Sequence, residues 1–237
     1  MASRLSSLLR AVLVGVALVP LGAEGPSAPS QALERLRAGN RRFAADASES
    51  RVIDGSRRAA LAERQAPFAT VLSCADSRVP PEIIFNTGLG ELFVVRVAGE
   101  VADRAVLASV EYAVEQLRTP LVVVMGHEFC GAVTAAAAPP AGSLGPNLDF
   151  LLSAIRPAVA RSRERREDDA LRAAILSNVE EVMNALVSRS EIIRGRVAGR
   201  TVQVIGGYYE LAAGRVHFSS PVDPLEVSTP PARASKR

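Results

Sequence analysis

The chain has 237 residues, a formal charge of +3, 48% apolar side chains and 4% aromatic ones. That is ample for one core of α/β size. The positive excess is small and scattered among acidic residues, so composition argues against a nucleic-acid footprint, which needs clustered cations, and gives no reason to expect a stable membrane partner.

Residues 1–30 read as a separate unit. Arg4 and Arg10 precede an apolar run from Ala11 to Ala23, and Gly25-Pro26-Ser27-Ala28-Pro29-Ser30 follows. A charged start, a short apolar run and small residues are the pattern of a secretory signal, and the run falls short of the roughly 20 residues of a membrane span. The chain is therefore expected to be exported, to a bacterial periplasm or outside the cell. In such an oxidising compartment two cysteines default to a disulfide.

Gln31 to about Ala45 predicts a helix, with Ser30 as N-cap and Leu33, Leu36 and Phe43 at helical spacing. The stretch from Asp46 to Gln65 is polar and gives no clear period. Phe68–Ser73 predicts a strand ending at Cys74, and Pro80–Phe85 a short helix opened by proline. Leu92–Val97 predicts a strand apolar enough to be covered on both faces. Asp103 is placed to cap a helix from Arg104 to Leu117, with Val106, Val110, Tyr112, Val114 and Leu117 as its buried stripe. Leu121–Met125 predicts a third strand running into Gly126-His127, and Gly131–Ala138 a helix stopped by Pro139-Pro140.

Two further helical stretches follow, the second carrying Leu171, Ile175, Val179, Val182 and Leu186. The charged run from Arg161 to Asp169 reads as a solvated helix end or loop. Thr201–Ile205 predicts a strand, and Tyr208–Leu211 with Val216–Phe218 a hairpin around Ala213-Gly214. Strands separated by helices imply an α/β fold: a mostly parallel central sheet flanked by helices, with a C-terminal hairpin extension. Residues 31–220 form the folded domain, and 221–237 read as a Pro-rich, disordered tail.

The two cysteines each sit where a predicted buried strand ends, and such ends are where open α/β sheets bind ligands. In Cys74-Ala75-Asp76-Ser77-Arg78, Cys74 and Asp76 are two apart and face one side of extended chain. In His127-Glu128-Phe129-Cys130, His127 and Cys130 can reach one ion from a single turn, with Gly126 and Gly131 allowing tight backbone on either side. Two thiolates and an imidazole suit zinc and leave one tetrahedral position open for a water. An ionised Asp76 only accepts hydrogen bonds and can orient that water, while Arg78 can grip the carboxylate through a forked pair of bonds. Released from Arg78, Asp76 could instead become a fourth ligand in a closed state. A plain Cys74–Cys130 disulfide and a closed structural zinc are the competing readings of the same residues; His217 reads as a surface or sheet residue.

These segments resemble the β-class carbonic anhydrases. The likeness rests on Cys-Ala-Asp-Ser-Arg-Val-Pro-Pro-Glu (74–82), on the run from Gly88 to Gly99, and on Gly-His-Glu-Phe-Cys-Gly-Ala-Val (126–133). Fainter echoes are Asn40–Phe43, Ser109–Ala113, Asn178-Val179 and Gly206–Leu211, so the similarity extends over about residues 31–220 in order. The resemblance implies reversible hydration of CO2 to bicarbonate and a proton by a zinc-bound hydroxide. It implies one zinc per subunit on Cys74, His127 and Cys130, oriented by Asp76 and Arg78. It also implies homodimers or assemblies of dimers, with the N-terminal helix packed on the neighbouring subunit. Two positions depart from the family pattern. Asn86-Thr87 stands where relatives often have Asp-Gln, whose glutamine is thought to help hold bicarbonate, and Glu100 stands where they usually have Asn. Hydrolysis of a CO2 analogue such as carbonyl sulfide or carbon disulfide, or bicarbonate binding without catalysis, are the alternatives this leaves.

Overall fold

The computed structural model of the protein describes residues 28–49, 53–138, 142–164 and 169–223. The expected signal segment, the loop at 139–141, part of the charged run at 165–168 and the tail from 224 lie outside the described residues. Strands β1 (Ala69–Ser73), β2 (Leu92–Arg96), β3 (Leu121–His127), β4 (Gln203–Glu210) and β5 (Arg215–Pro221) form one sheet in the order β2-β1-β3-β4-β5. The first four are parallel, and β5 pairs antiparallel with β4. The helices are α1 (Pro29–Ala44), α2 (Gly55–Leu61), α3 (Pro81–Ile84), α4 (Arg104–Glu115), α5 (Gly131–Ala137), α6 (Pro146–Glu164), α7 (Ala170–Arg189) and α8 (Glu191–Ala198).

Alternation along the central strands divides the core. Leu72, Val122, Val124 and Val204 pack with α4, α7 and α8 on one face. Ala69, Val71, Leu121, Val123, Met125 and Ile205 pack with α1 and α3 on the other. Asp103 caps α4 as its position predicts, its Oδ1 accepting from Val106 N at 2.8 Å. Tyr112 does not join the buried stripe of α4; it is 49% exposed and its ring tilts against Phe93.

Four other expectations are corrected. Helix α1 starts one residue before Ser30, with Ala28 as N-cap and Pro29 in the first turn, where a missing N–H costs nothing. The polar stretch after Asp46 contains α2, capped by Asp54 Oδ1 on Arg57 N at 3.0 Å. Strand β2 is apolar on both faces yet only half-buried, because it lies at the sheet edge. The C-terminal strand and the first arm of the hairpin are a single strand, β4. Gly206 and Gly207 lie inside it, with a register shift against β5 between Ile205 and Gly207, and at Gly206 α7 packs too closely for a side chain. A Cβ on Gly206 would lie 2.8 Å from Val179 Cγ1 and 3.0 Å from Met183 Sδ.

Helix α1 also packs on its own chain. Ala32 and Leu36 are fully buried, and Asn40 Nδ2 donates to Ile84 O and Gly214 O while its Oδ1 accepts from Val216 N. One face of the helix is thus held by its own chain, while Glu34, Arg37 and Arg41 leave its other face exposed.

Candidate metal centre

Strands β1 and β3 are 48 residues apart in sequence, from Ser73 to Leu121, but adjacent in the sheet, and Ser73 is in register with Met125. One step further on, Cys74 leaves the end of β1 beside the last residues of β3. The backbone of Gly126 presses against α7: a Cβ there would sit 2.7 Å from Val179 Cγ2 and 2.9 Å from Ile175 Cγ2. Gly131 meets no such obstacle, so only the first of the two flanking glycines is required by packing. The turn after His127 is closed by Phe129 in the left-handed region at φ 53°, which brings Cys130 back toward His127.

The result is a cluster of Cys74, His127 and Cys130 whose ligand atoms all lie within 4.8 Å of one another, all three residues being buried. His127 Nδ1 lies 2.9 Å from Glu128 O, a contact that requires the proton on Nδ1 and leaves a lone pair on Nε2. That Nε2 is buried and, among the described residues, has no hydrogen-bond partner. A buried imidazole nitrogen without a partner, facing two thiols, is the donor set zinc takes. Cys130 beside Cys74 holds the Cys74 thiol below its usual pKa range, a contact that offsets the cost of burial. The residues therefore fit zinc, with three ligands and one position left over. Both cysteines are free thiols in the structure, so the disulfide reading is not realised.

Asp76 stands beside the cluster and outside it. Arg78 Nε donates to its Oδ1 at 2.9 Å, Nη2 to its Oδ2 at 2.8 Å, and the Arg78 backbone N–H to Oδ1 at 3.0 Å. The forked bond to Arg78 holds the Asp76 carboxyl well below the usual carboxylate range, against the opposing effect of burial. Oδ2 lies 3.9 Å from His127 Nε2, so the fixed carboxylate faces the same space as the three ligands.

Three residues to which the sequence assigned no site role hold this geometry. Arg96, at the end of β2, donates from Nε to Cys74 O at 3.1 Å and from Nη2 to Asp76 O at 2.6 Å. The Gly99 N–H donates to Cys74 Sγ at 3.3 Å, and Asn178 of α7 donates to Gly99 O at 2.9 Å. An arginine closing an apolar strand was the available signal for the first; contacts from α7 to the 99 turn leave no local trace. Asn86 and Thr87 are not part of the centre within this chain. The Thr87 hydroxyl donates to Glu82 O, and both residues line a cavity of about 200 Å³ with Arg35, Phe68, Phe85 and Glu91. His217 is 55% exposed by side chain and pairs with Glu210 at 3.1 Å, as expected of a sheet-edge residue.

Residues 69–216 match the family model described as "Carbonic anhydrase". Over 192 residues the chain is 42% identical to "Carbonic anhydrase 2" of Mycobacterium tuberculosis, which covers 79% of this chain and 91% of that protein. Among solved structures it is similar to the β-carbonic anhydrase of Coccomyxa, at 28% identity with a TM-score of 0.66, covering 80% of this chain and 87% of that one. It is also similar to a tetrameric β-carbonic anhydrase of Sordaria macrospora, at 26% identity and a TM-score of 0.63, covering 70% and 87%. With the fold, the sheet-end cluster and these likenesses in agreement, the chain belongs to the carbonic anhydrase family, in its β class.

Proposed function

We propose that this protein interconverts CO2 and bicarbonate, with zinc held by Cys74, His127 and Cys130. The observation that carries the reading is the buried three-ligand cluster with an Arg78-bound carboxylate 3.9 Å from the free imidazole nitrogen. Zinc bound there supplies a Lewis acid that lowers the pKa of a water in its open position. Asp76, ionised and acceptor-only, takes a hydrogen bond from the attacking water and so turns that oxygen's lone pair toward CO2. Arg78 keeps Asp76 ionised and keeps it from occupying the open position. The oxygen adds to the carbon of CO2, bicarbonate departs, and one proton is released.

That proton has no obvious side-chain carrier. One of the two histidines is His127, inside the cluster, and the other is His217, paired with Glu210 on β5. Turnover should therefore rise with buffer concentration; rates independent of buffer would require an internal shuttle.

The same reading extends to assembly and location. Strand β2 offers an unpaired, apolar, half-buried edge, and the relative from Sordaria is tetrameric. Both support a homodimer, or an assembly of dimers, as the working form. Arg4, Arg10 and the apolar run to Ala23 support export to a periplasm or the cell exterior, with residues 31–220 as the working domain. Fusing residues 1–30 to a reporter that is active only outside the cytoplasm tests export, and a silent reporter would reject it.

Stopped-flow CO2 hydration by the zinc-loaded protein is the decisive experiment for the activity. Fast hydration abolished by a chelator and restored by zinc is expected. A zinc-replete protein that hydrates no CO2 would overturn the proposal.

A further inference from the structure

Glu100 is the departure from the family pattern that the proposed chemistry leaves unused, and its setting is unusual. It is fully buried, and its backbone lies in the left-handed region at φ 41°, directly after Gly99 at φ 64°. Two consecutive left-handed residues, one of them not glycine, do not persist without support from elsewhere. Here the support comes from α7. Asn178 is itself buried, and its Nδ2 donates one hydrogen to Gly99 O and the other to Glu100 Oε1, both at 2.9 Å. The amide thus spends both donors on a turn 78 and 79 residues away. Among the described residues Glu100 Oε2 has no hydrogen-bond partner. Burial pushes the Glu100 carboxyl up to about 8, tempered by the Asn178 bond. Gly99 is hemmed in as well: a Cβ there would lie 2.6 Å from Ile155 Cδ1 and 3.1 Å from Ala132 Cβ. The turn has one place to be, and in that place its Gly99 N–H points at Cys74 Sγ at 3.3 Å.

We propose that Asn178 and Glu100 are positioning residues for the metal centre: they lock the 99–100 turn so that the Gly99 N–H donates to Cys74 Sγ and sets how much charge that thiolate gives the metal. An N–H directed at a thiolate draws electron density from sulfur and weakens its donation. Hydrogen bonds of this kind behind metal ligands tune both affinity and the acidity of the metal-bound water. The inference rests on the zinc reading of Cys74, His127 and Cys130. It adds residues to that reading which touch neither metal nor substrate.

The test uses the full-length protein loaded with zinc or with cobalt, whose thiolate-to-metal charge-transfer band reports sulfur donation. Asn178→Ala removes both bonds that hold the turn and Glu100→Leu one of the two, so the Gly99 N–H is loosened from Cys74 Sγ in both. Their bands should move to longer wavelength as sulfur donates more strongly, while zinc affinity, measured by competition with a chelator, should fall roughly 10- to 100-fold because Cys74 is no longer held in place. Glu100→Gln keeps an oxygen acceptor for Asn178, so its band and affinity should stay with the wild type. The double variant Asn178→Leu with Glu100→Leu removes both partners of that bond and is nearer neutral for folding than Glu100→Leu alone, which leaves one buried Asn178 N–H without an acceptor. It therefore decides the matter should Asn178→Ala not fold. A purely structural pair would change melting temperature and leave the band in place, and that result would overturn the proposal. Equal shifts in Glu100→Gln and Glu100→Leu would overturn it too, because charge and not the Asn178 contact would then be at work. Failure of the wild type to give any cobalt–thiolate band would instead sink the zinc reading itself.

Discussion

At the scale of single residues the proposed chemistry separates holding the metal from directing the water. Arg78 touches Asp76 through three hydrogen bonds and makes none to the ligand side chains. Arg78→Ala should therefore retain zinc and the fold, while freeing Asp76 to swing into the open position. Hydration should drop by on the order of 10²-fold, the cost of misplacing a group at the reacting atoms. Stopped-flow rates set beside metal analysis of the same sample check this, and loss of zinc would mean that Arg78 helps to hold the ligands. Replacing Cys74, His127 or Cys130 should do the opposite and abolish zinc retention. The thiols carry a separate liability: their sulfurs lie within 4.8 Å of each other. Hydrogen peroxide added to the metal-free protein should take two electrons and two protons from Cys74 and Cys130, leaving a disulfide and water. Zinc should then restore activity only after reduction, and full recovery without a reductant would refute this. The ligands, Asp76 and Arg78 were legible in the sequence because each pair is local and carries its chemistry in its own side chains. Arg96 and Asn178 were not, because what they do depends on backbone carbonyls 20 to 79 residues away.

At the scale of elements, strand ends and close approaches matter more than propensities. The sheet and the helices α4 and α7 could be read from apolar period alone, since packing and period agree there. Strand β4 could not, because Gly206-Gly207 looks like a break in sequence, and Gly206 becomes a necessity only once α7 lies against it. Helix α1 shows the same logic at a glycine within a helix. A Cβ on Gly39 would fall 1.8 Å from Phe85 O, so α1 meets the end of α3 backbone to backbone. Gly39→Ala gains about 1 kcal/mol of helix propensity, but the clash with a backbone carbonyl costs about 3 kcal/mol. The clash wins, and a net loss of about 2 kcal/mol is expected in urea unfolding of the zinc-loaded protein. A neutral or stabilising effect would mean that α1 does not sit against α3 in solution. Helix α1 also holds Asn40 against Gly214 and Val216, so the hairpin should loosen with it.

At the scale of the whole molecule, the edge of the sheet is where the chain is least complete. Among the described residues strand β2 has a partner, β1, on one side only, and its run Leu92–Val95 is apolar on both faces as strands buried on both sides are. Its half-burial in the single chain is a mismatch between sequence and surroundings, and an unpaired apolar edge is a template for pairing. Close by, Tyr112 is 49% exposed and its ring lies 6.2 Å from that of Phe93, a residue of β2 itself. A second copy covering β2 and Tyr112 would bury both and remove the mismatch, which is why the edge is the contact we expect in the dimer. Tyr112→Arg places a charge on that face while leaving the core side of α4, with Val106, Val110 and Val114, untouched. Sedimentation velocity should show the wild type as a dimer or larger, and the variant shifted toward monomer with its circular dichroism unchanged. Helix α1, packed on its own chain, should be indifferent to that dissociation, so Asn40 contacts and α1 protection from hydrogen exchange should persist in the monomer. An assembly that survives Tyr112→Arg intact, or one that loses α1 protection when it dissociates, would move the interface away from β2.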